Sequence, residues 1–300
     1  MLLQIGRSSI FCPDSKNNCL SDYENYIISI ISHVLATLDI AININIGNNN
    51  YHFNNNRTLK IKYNIEHTLV LAGGRDVPST TPFGTIPTSD HTSTYLVRID
   101  NIRTYDVCDI IIDYSIPNMI NVKSCEQYEA YYKKMIYISP NIYNTYHLDK
   151  NNRTINVLTT FMNTNQPRRK ALLETMERSS IPYINVHNCF DKHKLQEILC
   201  QTKIIINIHQ TDHHHTFEEL RVLPALLCGV IVIAKESPLK ENIPYHHMIV
   251  WSSYENIIQT IKDVQDNYDT YYSSLFNEES VALFNTLHQN NIRGLIDALQ

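Results

Sequence analysis

The apolar positions change period several times along the first half of the chain. Residues 22–38, DYENYIISIISHVLATL, carry apolar side chains at helical spacing behind Ser21, a residue type that caps helix starts. The spacing predicts a helix there. Residues 40–46 then alternate, with Asn43 and Asn45 set between isoleucines, and period two predicts a strand with one polar face. The Asn-rich stretch 47–57 reads as a loop. Leu2 to Ile5 is a short apolar run, followed by a polar loop. Further short runs rich in Ile, Val and Tyr, separated by turn formers, predict strands at 59–63, 68–71, 94–99, 110–114 and 135–139.

The second half is more regular. Residues 154–160 read as a buried strand, and Pro167 opens a helix, RRKALLETMERSS, at a position where proline is welcome. A strand at 183–186, a helix at 191–200 and a strand at 203–209 follow. After a His-rich loop comes a helix ending at Cys228-Gly229, then strands at 230–234 and 248–251 and helices at 254–268 and 279–299. Strands with nearly continuous apolar runs, alternating with helices, predict an α/β fold whose parallel sheet is covered on both faces. The polar stretch TYHLDKNNR, 145–153, marks a boundary between a domain at 1–148 and one at 149–300, with the last helix able to cross back.

Composition narrows the function classes. A chain of 300 residues with 43% hydrophobic and 18% charged residues suits globular cores. The net charge is −5, and the basic stripe expected of a nucleic-acid binder is missing. The seven cysteines are scattered, odd in number and form no CxxC pair, which argues for reduced thiols. Cys12 and Cys19 alone are close enough in sequence for a local bridge. No signal peptide or membrane-spanning stretch is evident, so the expected location is cytoplasmic.

The chemistry concentrates in 209–237, HQTDHHHTFEELRVLPALLCGVIVIAKES. Its run ALLCGVIVIA resembles the helix end, Cys-Gly turn and apolar strand of retaining GT-B glycosyltransferases. The resemblance covers about residues 153–270 well and the N-terminal half loosely, and it implies two Rossmann-like domains facing each other across a cleft. In that family two glutamates separated by seven residues contact the donor. The corresponding positions here are Thr216 and Pro224, so this chain departs from the motif. It carries Glu218, Glu219 and Arg221 instead, similar to divergent members with a Glu-x-Arg before the helix.

The resemblance assigns Glu219 or Glu218 to ribose or sugar hydroxyls. Arg221 goes to the diphosphate, where its planar fork matches phosphate oxygens. The same residues also read as a capping box, with Thr216 as N-cap and Glu219 three positions on. His209, His213, His214 and His215 with Asp212 could ligate zinc, but consecutive loop residues seldom converge on one ion, and the resemblance implies no metal. One or two of these histidines, His209 foremost, are expected to line the site. Arg168 and Arg169 open a helix, where positive charge opposes the macrodipole unless an anion is bound.

In the N-terminal half, Gly73-Gly74 suggests a tight turn or a close approach, and Asp76 and Asp113 are candidates for a general base. The donor-holding set is thus His209, Thr216, Glu218, Glu219, Arg221, Arg168, Arg169, Gly73 and Gly74, and the catalytic set Glu219, Arg221 and Asp76. The implied reaction moves a sugar from a nucleotide diphosphate-sugar, UDP- or GDP-linked, to a hydroxyl of a glycan or other acceptor. Retention and inversion both stay open. The alternatives are a GT-B-like protein that binds nucleotide or glycan without turnover, and a metal-dependent hydrolase built on the histidines.

Overall fold

A computed structural model describes residues 1–12, 21–47, 51–53, 57–73, 83–87, 91–99, 102–189, 191–211 and 214–300. The chain forms two compact units, Met1–Ser139 with Leu287–Gln300, and Pro140–Thr286. Cys19, Gly74, Asp76, Asp212 and His213 lie outside the described residues.

The first unit opens with β1 (Leu2–Ile5) and β2 (Ser8–Phe11), an antiparallel pair. Helix α1 (Ser21–Leu38) leads to β3 (Asn43–Ile46) and β4 (Thr58–Asn64). Next come β5 (Leu69–Leu71), β6 (Phe83–Pro87), β7 (Thr94–Arg98), α2 (Ile102–Asp106) and β8 (Ile110–Asp113), then α3 (Ile116–Lys123), α4 (Glu129–Tyr132) and β9 (Met135–Tyr137). The main sheet has the order β1-β2-β3-β4-β8-β9, parallel from β2 onward. Strands β2 to β9 cross it in chain order, without a reversal among the described strands.

Two expectations change here. Asn43 and Asn45 are both buried, since neither face of β3 meets water. Period two therefore marks no solvent face, and Asn45 Nδ2 donates to the Tyr51 carbonyl at 2.9 Å. An antiparallel sheet β5-β7-β6 also stands beside the parallel one. Its strand β6 is absent from the strands the sequence predicts, because Gly84 and Pro87 break the strand signal. This sheet has its own core, in which Leu69 and Val97 meet Ile111, Val122 and Tyr128.

The second unit contains β10 (Ile155–Thr159), α5 (Pro167–Arg178), β11 (Tyr183–Asn185), α6 (Lys192–Cys200) and β12 (Thr202–Asn207). It continues through α7 (Glu219–Leu227), β13 (Ile231–Lys235), β14 (Ile249–Ser252), α8 (Ile257–Asp266) and α9 (Tyr268–Leu275). The sheet is wholly parallel, with order β11-β10-β12-β13-β14. Numbered within the unit, that is 2-1-3-4-5, the order of a doubly wound sheet whose direction reverses between its first and third strands. Helix α7 packs on β12 and β13, and α8 and α9 pack on β13.

Helix α10 (Glu278–Leu299) begins in the second unit and ends in the first. Its Asn291, fully buried, accepts from the Ser139 amide at 2.9 Å and donates to the Ser139 carbonyl at 3.0 Å and to the Tyr26 hydroxyl at 2.8 Å. That side chain fastens the returning helix to α1 and to the residue where the first unit gives way to the second.

Candidate functional site at the carboxyl edge of the second sheet

In a doubly wound sheet the loops after the strands flanking the reversal leave in opposite directions and open a crevice at the strands' carboxyl ends. Here those segments lead from β10 to α5 and from β12 to α7. Helices α5 and α7 start from them, so both helices direct their N–H ends and positive dipole ends toward that edge.

Each helix places a charge at the first position of its buried stripe. In α5 the buried residues are Arg169, Leu172, Leu173 and Met176. In α7 they include Glu219, Val222, Leu223 and Leu226. Both follow the i, i+3, i+4, i+7 spacing of a helix face turned to the core. The apolar members are buried along each helix, and the charged member stands at its start.

Arg169 is 1% exposed. Its guanidinium lies over the Phe161 ring, 4.7 Å from the centroid, and Nη2 donates to the Ile208 carbonyl at 3.5 Å. Its Nε has no hydrogen-bond partner among the described residues. Burial draws its pKa down to about 10, while the Glu218 carboxylate raises it and Arg221 lowers it. At neutral pH it is a buried cation with little of the hydrogen bonding that water would supply, a state costing several kcal/mol.

Glu218 meets Arg221 in a pair of 3.3 Å between Oε2 and Nη1. Glu219 is fully buried, and its Oε2 accepts from the Tyr245 hydroxyl at 2.7 Å. The capping box is not formed: α7 starts at Glu219, and Glu218 is its N-cap, without a side-chain cap bond. Thr216 instead offers its carbonyl to His209, whose Nε2 lies 2.6 Å away, and both residues are buried. Pro224 lies inside α7, where it removes one backbone bond and shortens the regular stretch that a longer cap would need.

Arg168 stacks on the Tyr254 ring, 4.2 Å from its centroid, and the Tyr254 hydroxyl donates to the Arg168 carbonyl at 2.7 Å. The start of α5 is thereby joined to the loop after β14. Among the residues that sequence reasoning missed, Tyr245 and Tyr254 carry no local signal, since each comes from a distant loop. Ser237, just beyond the carboxyl end of β13, is buried, and its Oγ has no partner among the described residues. Arg169 and Glu219 could have been ranked first from their place in the apolar stripe.

Among the histidines, His214 Nδ1 lies 3.3 Å from the Thr211 hydroxyl. Among the described residues no three His, Cys, Asp or Glu side chains gather into a metal-holding group.

The remaining candidates belong to the first unit. Gly73 has φ +79°, and a Cβ there would meet nothing within 4 Å, so the position requires the left-handed backbone and not a close approach. Asp113 is fully buried at the end of β8. It accepts from Asn64 Nδ2 at 2.7 Å, from the Ser115 amide at 2.9 Å and from Asn118 Nδ2 at 3.1 Å. Burial raises its pKa to about 7 against the pull of those bonds. These donors tie the ends of β4 and β8 to the start of α3.

No known protein-family model matches this chain. An uncharacterized protein of Acanthamoeba polyphaga mimivirus is 27% identical over 198 residues, spanning 61% of this chain and 66% of that protein's own length. A crystal structure of an alpha1,3-fucosyltransferase with GDP superposes at a TM-score of 0.36 with 15% identity, over 83% of this chain and 78% of the other. Among the described residues no helix is long and apolar enough to cross a membrane.

Proposed function

We propose that this protein is a glycosyltransferase of the two-domain GT-B kind, whose second unit binds a nucleotide diphosphate-sugar at the carboxyl edge of its sheet. The observation that carries the reading is Arg169, a buried cation with an unpartnered Nε at the sheet's reversal point. A diphosphate is the ligand chemistry that fits it. Planar N–H groups match phosphate oxygens, and the N–H ends of α5 and α7 add positive potential for the same anion.

In this reading Arg169 and Arg221 hold the diphosphate, with Arg168 fixing the start of α5 against Tyr254. Glu218 and Ser237 offer hydrogen bonds to donor hydroxyls. His209 holds the Thr216 carbonyl and so shapes the loop before α7. Glu219 acts at the N-terminus of α7, oriented by Tyr245. Stabilising the negative charge that grows on the leaving diphosphate is the main catalytic contribution. The first unit, with the turn at Gly73 and with Asp76 as its general-base candidate, is assigned the acceptor hydroxyl.

Titration calorimetry with UDP, GDP, dTDP and CDP tests the donor site. One of them is expected to bind the wild-type chain and to lose at least tenfold in affinity in Arg169→Met, the scale of one charge-assisted hydrogen bond of about 1.5–3 kcal/mol. Absence of binding by all four, or equal affinity in the variant, overturns the assignment. A second reading, binding without turnover, draws on Thr216 and Pro224 standing where the resembling enzymes carry glutamates. Release of nucleoside diphosphate from the cognate nucleotide-sugar, dependent on Arg221, would exclude it.

A further inference from the structure

The opposite edge of the second sheet carries a pair of cysteines that the donor reading does not use. Cys200 ends α6 and Cys228 follows α7. Strands β12 and β13 pair in parallel with Ile204 beside Ile231. The ends of α6 and α7, which lead into these two paired strands, are therefore neighbours at that edge.

One guanidinium holds both backbones in place. Arg153 Nη1 donates to the Leu199 carbonyl at 3.3 Å and the Thr202 carbonyl at 2.6 Å, and Nη2 to the Cys228 carbonyl at 2.8 Å. Gly229 fixes the turn that follows, with φ +66°. The two side chains lie close enough to influence each other. Cys228 lowers the Cys200 thiol against its burial, with His147 and Arg153 adding to the effect. Cys200 and deep burial push Cys228 up. Cys200 is half-buried and Cys228 fully buried, so the more acidic sulfur is also the one a reagent reaches.

We propose that Cys200 and Cys228 are a reversible dithiol–disulfide pair, oxidised by a small disulfide such as oxidised glutathione. The Cys200 thiolate attacks one sulfur of the oxidant, forming a mixed disulfide and releasing one glutathione thiolate. The Cys228 sulfur then attacks Cys200 Sγ and expels the second glutathione thiolate, which takes up the Cys228 proton. Two thiols are oxidised and one small disulfide is reduced. The bond ties the end of α6 to the end of α7, the helix whose other end carries Glu219. This inference is independent of the donor reading, and its failure would leave nucleotide binding untouched.

The test treats the reduced, folded full chain with oxidised glutathione, blocks free thiols with N-ethylmaleimide and maps peptides without reduction. The expected product joins the Cys200 peptide to the Cys228 peptide and is split by dithiothreitol. In Cys228→Ser the same treatment is expected to leave glutathione on Cys200, because the second sulfur is missing. Wild-type protein of unchanged circular dichroism that yields both cysteines as separate maleimide or glutathione adducts overturns the proposal. The wild-type map decides the matter even where the serine variant folds poorly.

Discussion

The Tyr245 hydroxyl donates to the Glu219 carboxylate at 2.7 Å, and both side chains are fully buried. The pair joins the first residue of α7 to the loop between β13 and β14, two segments that the chain order separates by a whole strand. Removing the donor leaves a buried carboxylate oxygen short of a hydrogen bond. Tyr245→Phe is therefore expected to lower unfolding stability by about 1–3 kcal/mol, read from the urea midpoint at constant slope. An unchanged midpoint would mean that water reaches Glu219 in solution.

Arg169 makes the opposite case. Its charge is buried with one long hydrogen bond of 3.5 Å, so the ligand-free protein bears a desolvation cost that a thioether would not. Arg169→Met is expected to leave the urea midpoint of the free protein unchanged or raise its stability by about 1 kcal/mol. A loss of several kcal/mol in the free protein would show that Arg169 is a structural cation, and the donor reading would lose its main support.

Asp113 titrates at about 7 in the folded chain, against about 3.9 for an exposed aspartate. The folded state therefore holds a proton that the unfolded state has released between those values. The sign follows from linkage: stability is fully present below about pH 4 and falls as pH rises toward 7, by up to about 1.4 kcal/mol per pH unit, then levels off. Asp113→Asn is expected to flatten that slope. Denaturation of both chains at several pH values between 4 and 8 measures it, and parallel curves would refute the buried-proton account.

Gly229 is the C-terminal turn after α7. A Cβ there would meet Arg153 Nη2 and the Tyr272 hydroxyl at 2.7 Å and the His147 carbonyl at 2.8 Å. Its φ of +66° adds about 1–2 kcal/mol for a side chain in the left-handed region. Gly229→Ala is expected to cost more than that figure alone, because Arg153 must release carbonyls to make room. A calorimetric melting point within one or two degrees of wild type would contradict this packing.

The second unit was legible in outline for a physical reason. Parallel strands buried on both faces read as continuous apolar runs, such as IVIA in β13, and helix starts are marked by Pro167 and Asp191, the latter accepting from the His193 and Lys194 amides. The first unit was less so. Asn43 and Asn45 alternate like a polar face, yet both are buried, and Gly84 and Pro87 concealed a strand.

By itself the sequence determined where strands and helices alternate, where the chain turns at Cys228-Gly229, and which short segments carry charge beside apolar stripes. Those features are local, set by periodicity, capping and backbone freedom within a few residues. Only the tertiary structure decided that α5 and α7 start at the same edge of one sheet, that Arg169 is buried there with an unpartnered Nε, and that Tyr245 and Tyr254 come back to meet Glu219 and Arg168. These contacts join residues 26 to 86 positions apart. No local periodicity encodes them, because they depend on which strand pairs with which.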